Sequence, residues 1–278
     1  ITKLSVRLKK KDNFIKIFHK ALSLAKDGRP GPVWIDMPID VQSMLINEPK
    51  ASDYKKPQIK HSYNEKIYLE KKISKVLTAL NNAKRPVIVA GNGIRFSGKY
   101  KEFLKIIKKL SIPVLPVFNS TDLIPSDHVL YCGRPGADGD RSGNFVQQNS
   151  DLLIILGARM HIRQVGFNSE SFAREAKKIM VDVDKAEMNK PNLHIDMKIQ
   201  ADLKHFLPKM ALMTNKYKPK ATHKEYLLWS KKRKDLYPVV QPNHYKSQKN
   251  TVNPYAMMEK LFSKFNDDEV IVTGDGTA

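Results

Sequence analysis

Cysteine is nearly absent from this sequence, because Cys132 is its only one. A single cysteine excludes an internal disulfide framework and any zinc site built on paired cysteines, and it suits the reducing cytoplasm. The sequence also lacks a run of about 18 apolar residues and the apolar stretch of a secretory signal peptide. We therefore expect a cytoplasmic protein with no membrane-spanning segment.

Acidic residues are few, with 28 Asp and Glu against 49 Lys and Arg, and the net charge is +21. Such a charge is found in proteins that bind nucleic acids or membrane surfaces. Here Lys outnumbers Arg about four to one, and the lysines are spread along the whole chain. Nucleic-acid readers favour Arg forks and aromatic platforms, so we expect no nucleic-acid partner. We favour a lysine-biased composition as the explanation of the net charge. The alternatives are a polyanion-binding surface and a local basic rim that helps to bind phosphates.

Motifs of nucleophilic and metal catalysis are missing as well. The sequence contains no Gly-x-Ser-x-Gly elbow and no Walker lysine motif. Cys132 has no obvious His partner in sequence, and neither His128 nor His161 has a Glu or His at metal-ligand spacing. We therefore assign no catalytic residue and no metal ligand to this chain.

Short apolar runs alternate with amphipathic patterns along most of the chain. The runs are continuous, which indicates strands that are covered on both faces. Strands that alternate with helices indicate a parallel sheet, and we predict an α/β fold with a doubly wound, Rossmann-like central domain. Strands are predicted at residues 33–37, 85–90, 113–117, 151–157, 178–184 and 269–273, and helices at 13–26, 64–83, 99–110, 226–234 and 254–265.

Glycine-bearing turns and acidic residues lie where ligands bind in such a fold, at the carboxyl ends of the strands. Glycine lets backbone N–H groups approach a phosphate, arginine adds a bidentate partner, and an Asp at a strand end accepts a ribose hydroxyl. These features predict a site for a nucleotide-like cofactor. Its candidate residues are Gly91, Gly93, Ile94 and Arg95 after one strand, Gly133 and Gly136 in the loop 119–143, Gly157, Ala158 and Arg159 after another strand, and Asp182 and Asp184 after the next.

Each of these features also has a structural interpretation. A glycine pair after a strand forms ordinary tight turns, and Arg159 would serve equally in an ion pair on the surface. An Asp at a strand end often caps the next helix. The Gly91-x-Gly93 pair also lacks the third glycine of the dinucleotide fingerprint. A cofactor site and a set of structural turns therefore both remain open.

Several segments together resemble the acetolactate synthases, a family of thiamine-diphosphate-dependent enzymes. Residues 28–42 are similar to the Gly-Arg-Pro-Gly-Pro-Val stretch and the Asp-x-Pro-x-Asp-x-Gln pattern that end the family's pyrimidine-binding domain. Residues 85–93, 151–159 and 179–187 resemble its central domain, including a Gly-x-Arg and an Asp-x-Asp-x-x-Glu series. Residues 253–276 resemble the opening of its diphosphate-binding domain.

The resemblance implies a division of the chain into four segments. They are the end of a pyrimidine-binding domain at residues 1–45, a central domain at 64–213, a linker at 214–250 and the start of a diphosphate-binding domain at 251–278. The outer two would be incomplete pieces of further α/β domains that flank the central one.

The family's catalytic parts correspond to positions outside this chain. Its activating Glu would precede Ile1, and its Gly-Asp-Gly…Asn-Asn motif would follow Ala278. The resemblance favours an earlier loop that touches the diphosphate for Gly274, Asp275 and Gly276, with the Mg²⁺-binding motif itself as the alternative. The chain by itself is therefore expected to be inactive.

For the whole protein the resemblance implies a 2-oxoacid decarboxylase or carboligase. Its cofactors would be thiamine diphosphate and Mg²⁺, its substrate a 2-oxoacid such as pyruvate, and its assembly a homodimer or homotetramer. The alternative is a non-catalytic nucleotide-binding or assembly module derived from the family.

The family's central domain implies FAD, which plays no redox part in the synthases. This chain reads Met160-His161-Ile162-Arg163 where the synthases have Phe-Asp-Asp-Arg, and its loop from Gly133 to Arg141 differs too. Both differences fall where FAD would sit. FAD binding and an empty, vestigial site therefore both remain open.

Overall fold

The N-terminal segment forms two parallel strands joined by a helix. In the computed structural model, which describes residues 1–48, 50, 52, 62–191, 193–246, 251–266 and 268–272, β1 (Leu4–Arg7) pairs with β2 (Val33–Asp36). The connecting helix α1 (Phe14–Lys26) begins after Asn13, whose side chain accepts the N–H of Lys16. A short helix, α2 (Ile39–Gln42), follows.

Five parallel strands form the central sheet. They are β3 (Pro86–Ala90), β4 (Val114–Pro116), β5 (Leu152–Leu156), β6 (Lys177–Asp182) and β7 (Met197–Gln200), in the order β4-β3-β5-β6-β7. The chain moves outward from β3 to β4 and then crosses back over β3 to reach β5. The strand order therefore reverses between β3 and β5, which is the topological switch point of a doubly wound sheet.

Helices cover both faces of this sheet, because alternate strand residues point to opposite sides. The helices after α2 are α3 (Lys66–Asn82), α4 (Gly93–Phe96), α5 (Tyr100–Leu110), α6 (Arg141–Gln148), α7 (Ile162–Val165), α8 (Lys185–Met188), α9 (Leu203–Met213), α10 (Ala221–Leu236) and α11 (Pro254–Phe262). Ile88 and Ile154 pack on α3, α5 and α9, whereas Val87 and Leu153 pack on the face that α6 and α10 cover. The predicted α/β fold with a parallel, doubly wound central domain is confirmed.

Several elements of the central domain escape prediction from the sequence, among them β7, α6 and α9. In the described part of the chain, β7 pairs with only one neighbour, and its sequence alternates apolar and polar residues instead of forming a continuous run. The helix α6 is short and polar, and it begins after Asp140, whose side chain accepts the N–H of Gly143. The helix α9 contains Pro208, a residue that ordinarily interrupts a helix.

The predicted linker 214–250 contains a helix that packs on the sheet. This helix is longer than the expected 226–234 and buries His223 and Tyr226. The two ring nitrogens of His223 lie 3.0 Å from the carbonyl oxygen of Ala83 and 2.8 Å from the hydroxyl of Tyr217. These contacts tie α10 to the central domain, although the limits of the domains remain predictions.

The strand predicted at 269–273 is wrong over the residues that the structure describes. Residues 269–272 have no strand conformation. A parallel strand needs a neighbour to satisfy its N–H and C=O groups, and the described part of the chain supplies none there. Residue 273 lies outside the described residues.

Glycine is required at position 91 by the close approach of two turns. A Cβ atom there would lie 2.2 Å from the carbonyl oxygen of Gly157 and 2.5 Å from the Cα of Ala158. Both neighbours are backbone atoms, so they cannot move aside as a flexible side chain could. Gly157 itself has a φ of +59°, which favours glycine.

We predict that Gly91→Ala lowers the free energy of unfolding by roughly 3 kcal/mol, because the new methyl group overpacks the switch point. The matched control is Gly31→Ala, whose Cβ would meet only the flexible side chain of Lys3, at 3.1 Å. Urea unfolding followed by circular dichroism measures both variants. Equal losses in the two variants would contradict this account of the turn.

Candidate functional site

A cavity of about 560 Å³ opens at the carboxyl ends of the strands. Residues at or after the ends of β3, β4, β5, β6 and β7 line it, and a further wall is formed by Lys26, Gly28, Arg29 and Pro30 of the N-terminal segment. Its volume lies in the usual range for small-molecule sites, and its position is the one that the strand order predicts for a ligand.

The centre of the cavity wall is bare backbone. The N–H of Gly93 donates to the carbonyl oxygen of Gly157 at 3.0 Å, and a Cβ on Gly93 would lie 2.8 Å from the Cα of Gly157. Both glycines line the cavity. A ligand at this point would meet main-chain atoms, but the N–H groups of Gly93 and Gly157 already donate to the carbonyl oxygens of Gly157 and Val181. The glycines therefore give the ligand room, and the charged donors must come from side chains.

Basic side chains outnumber acidic ones in the lining. The lining contains four Lys and Arg residues, Lys26, Arg29, Arg159 and Lys204, and two acidic residues, Asp182 and Asp202. The excess of positive charge favours an anionic ligand, and the two arginines offer planar donors for phosphate oxygens.

The carboxylate of Glu187 joins both arginines beside this cavity. Its Oε1 accepts a hydrogen bond of 2.6 Å from Nε of Arg159 and one of 2.9 Å from Nη1 of Arg29. Lys190 pairs with its other oxygen. Burial alone would raise the pKa of Glu187, but the hydrogen bonds from Lys190, Arg159 and Arg29 outweigh it and hold the pKa below its usual value. Glu187 is therefore ionised at neutral pH.

The two aspartates at the end of β6 have different environments. Asp184 caps α8 by accepting the N–H of Ala186 at 2.9 Å, so the capping interpretation holds for it. Asp182 lines the cavity and accepts the N–H of Asp184 at 2.9 Å. Burial raises the pKa of Asp182 to about 6, although this hydrogen bond acts in the opposite direction.

Two polar residues of the turn after β5 also line the cavity. Burial lowers the pKa of His161, and the charges of Lys190, Arg159 and Arg163 lower it further, which favours the neutral imidazole. Gln164 is buried, and its Nε2 donates to the carbonyl oxygen of Pro135 at 3.0 Å. Its Oε1 has no hydrogen-bond partner among the described residues.

The structure brings part of the predicted set together at this cavity. Gly93, Gly157, Ala158, Arg159 and Asp182 line it. Their contacts with a cofactor remain a proposal, which the geometry supports.

The other predicted residues lie elsewhere. Gly91 packs against the turn after β5, and Ile94 is buried in the core on the face covered by α3. Arg95 pairs with Asp122 at 2.8 Å. Gly133 and Gly136 shape the loop before α6, where the N–H of Gly136 donates to Asn144. Gly274, Asp275 and Gly276 lie outside the described residues.

Sequence reasoning missed several residues of the site. Lys26, Arg29, Gln164 and Lys204 line the cavity, and Glu187 holds two of its side chains. Arg29 and Glu187 are 158 positions apart, so no local pattern connects them. The available signals were the Gly-Arg-Pro turn and the Asp-x-Asp-x-x-Glu series, whose first Asp lines the cavity and whose Glu anchors both arginines.

Within the described residues, no group of three or more His, Cys, Asp or Glu side chains is arranged to hold a metal ion. The described helices also include none that is both long and apolar enough to cross a membrane.

Comparison with known proteins gives a consistent result. Residues 73–210 match the family model of the thiamine pyrophosphate enzyme central domain. A probable acetolactate synthase large subunit of Methanococcus aeolicus is 35% identical over 207 residues, which are 74% of this chain and 34% of that protein. The acetolactate synthase large subunit of Lactococcus lactis is 29% identical over 276 residues, 99% of this chain and 46% of that protein.

A third relative, the isozyme 1 large subunit of acetolactate synthase from Escherichia coli, is 32% identical over 212 residues, or 75% of this chain and 36% of that protein. The chain thus spans between about a third and a half of the length of these relatives.

We predict that Asp182→Asn raises stability at neutral pH relative to the parent chain. The folded state holds the Asp182 proton up to about pH 6, whereas the ordinary value is 3.8, so the parent loses stability as pH rises through that window. The variant lacks this loss, which corresponds to roughly 1–3 kcal/mol.

Urea unfolding of both proteins between pH 4 and 8 measures the difference, with Asp122→Asn as a control for a change of charge on the surface. A constant difference between parent and Asp182→Asn across this range would contradict the assigned environment of Asp182.

Proposed function

Because the chain belongs to the thiamine pyrophosphate enzymes, we propose that it is part of a thiamine-diphosphate-dependent 2-oxoacid decarboxylase or carboligase of the acetolactate synthase type. The observation that carries this proposal is the similarity to acetolactate synthase large subunits along most of the chain. Thiamine diphosphate supplies the carbanion chemistry of such enzymes when it is bound. The proposed substrate is a 2-oxoacid such as pyruvate.

The role that we propose for the central domain is to bind a nucleotide cofactor. The described residues fit the diphosphate of such a ligand, because the guanidinium groups of Arg29 and Arg159 line the cavity beside turns that carry no side chain at Gly93 and Gly157. Asp182 has the position of an acceptor for ribose hydroxyls. FAD is the ligand that the family resemblance implies.

Thiamine diphosphate itself would bind mainly outside the described residues. We propose that Gly274, Asp275 and Gly276 touch its diphosphate, with Mg²⁺ held by further residues of the whole protein. We also propose a homodimer or homotetramer in the cytoplasm. A non-catalytic assembly module is not favoured, because the relatives described above are named as synthases.

We predict that the chain binds FAD and that Arg159→Ala weakens binding by about 1.5–3 kcal/mol, the scale for losing a charged hydrogen-bond partner. Quenching of flavin fluorescence during titration measures the affinity. Arg7→Ala is the matched control, since Arg7 pairs with Asp36 on the N-terminal segment and does not line the cavity. Absence of FAD binding would leave the vestigial interpretation of the site, and an unchanged affinity of Arg159→Ala would place the diphosphate elsewhere.

A second expected result concerns catalysis. The 278-residue chain with thiamine diphosphate, Mg²⁺ and pyruvate should release no carbon dioxide above a protein-free control. The whole protein, with complete pyrimidine- and diphosphate-binding domains, should release it. Decarboxylation by the chain alone would show that the division of the cofactor site between segments is wrong, and inactivity of the whole protein on a panel of 2-oxoacids would defeat the proposed function.

A further inference from the structure

Glu187 is enclosed, whereas the two arginines that it contacts are accessible. Its side chain is 6% exposed, against 57% for Arg159 and 40% for Arg29. A buried carboxylate is costly unless it is paired, and here Oε1 is shared by both guanidinium groups. The exposed parts of the two arginines therefore surround a fixed central oxygen.

Both arginines keep donors for a ligand. A guanidinium group carries five N–H donors, and the hydrogen bonds to Glu187 use Nε of Arg159 and one N–H of Nη1 of Arg29. The remaining donors suit the oxygens of a phosphate, which guanidinium binds in a bidentate manner. Both side chains also line the cavity.

The carboxylate is what allows two like charges to stay together. Two guanidinium groups that contact one oxygen atom repel each other, and Lys190 adds a third positive charge. Lys190 also donates to the backbone oxygen of Arg159 at 2.8 Å, which orients the same turn. Without the negative charge of Glu187, the flexible arginine side chains would extend into solvent.

We propose that Glu187 is a positioning residue that holds Arg29 and Arg159 as a two-sided clamp for the diphosphate of the ligand. This inference rests on the proposed function of the cavity as a nucleotide site. Because Arg29 belongs to the N-terminal segment and Arg159 to the turn after β5, the clamped diphosphate would join the two parts of the chain.

The effect of Glu187→Gln on the affinity for anionic ligands distinguishes this positioning role from a purely electrostatic one, because the two roles predict changes of opposite sign. Removing a negative charge beside an anion site should strengthen anion binding if Glu187 acts only through its field. If Glu187 positions the clamp, Glu187→Gln should instead weaken the binding of ADP and inorganic diphosphate about tenfold.

The matched control is Asp184→Asn. Asp184 lies 3.7 Å from Nη1 of Arg29, beyond hydrogen-bond distance, and Asn is an equally good helix cap. This variant therefore removes a nearby negative charge while the hydrogen bond from Arg29 to Glu187 remains. Its affinity for both probes should stay the same or rise. Calorimetric titration of the chain measures all variants, and thermal unfolding checks that each is folded.

A double-mutant cycle supplies a readout that a merely structural role would not produce. In an Arg159→Ala background, Glu187→Gln should weaken ADP binding less than twofold, since one of the two arginines of the clamp is already absent. If Glu187→Gln does not fold, Arg29→Ala and Arg159→Ala provide the second cycle. The double variant should lose less ADP binding free energy than the two single variants lose in sum, because Glu187 neutralises the arginine that remains in each single variant.

Two results would overturn the inference and leave the nucleotide site intact. They are parent-like or tighter binding of both probes by Glu187→Gln, and additive losses in the cycle that is measured. A parent chain that binds neither ADP nor inorganic diphosphate would overturn both the inference and the proposed role of the cavity.

Discussion

Between Gly91, Gly93 and Gly157 the backbones of two neighbouring turns are in direct contact, with the nitrogen of Gly93 3.0 Å from the carbonyl oxygen of Gly157. This contact lies between β3 and β5, where the strand order reverses and the crossover connections leave the sheet in opposite directions. No side chain fits between the two turns, because their backbones already occupy the positions that Cβ atoms would take. The position of the cavity follows from topology, and part of its wall is the glycine backbone of these turns.

Charge is then arranged around that wall by a buried carboxylate. Glu187 pairs with cations from two distant parts of the chain, and its hydrogen bonds outweigh the cost of burial. Part of the positive charge behind the net value of +21 is therefore clustered at one place, around Glu187. A surface with evenly spread lysines would not contain such a cluster. The pKa of Asp182 shifts in the opposite direction, because burial dominates there and raises it to about 6. The pKa values of acidic groups a few residues apart thus shift in opposite directions according to their partners.

The sequence was sufficient for four of the five strands of the central sheet and for the turns that follow them, but insufficient for contacts between distant segments. Continuous apolar runs such as 152–156 identify buried strands, and glycines after them identify the switch point. β7 was missed because an edge strand alternates polar residues, and the packing of α10 was missed because its buried polar residues His223 and Ser230 resemble those of a surface helix. Arg29 and Glu187 meet only in the folded chain, so their pairing required coordinates.

Hydrogen–deuterium exchange of the chain with and without ADP tests most directly whether the cavity at the switch point is the nucleotide site. ADP should slow exchange in the turns at 91–95 and 157–161 and in residues 26–30, since a ligand in this cavity would contact both parts of the chain. A second cavity, lined by Lys84, Arg85 and Trp229, lies away from these turns and serves as the internal comparison. Protection confined to that second cavity, or no protection at saturating ADP, would contradict the account.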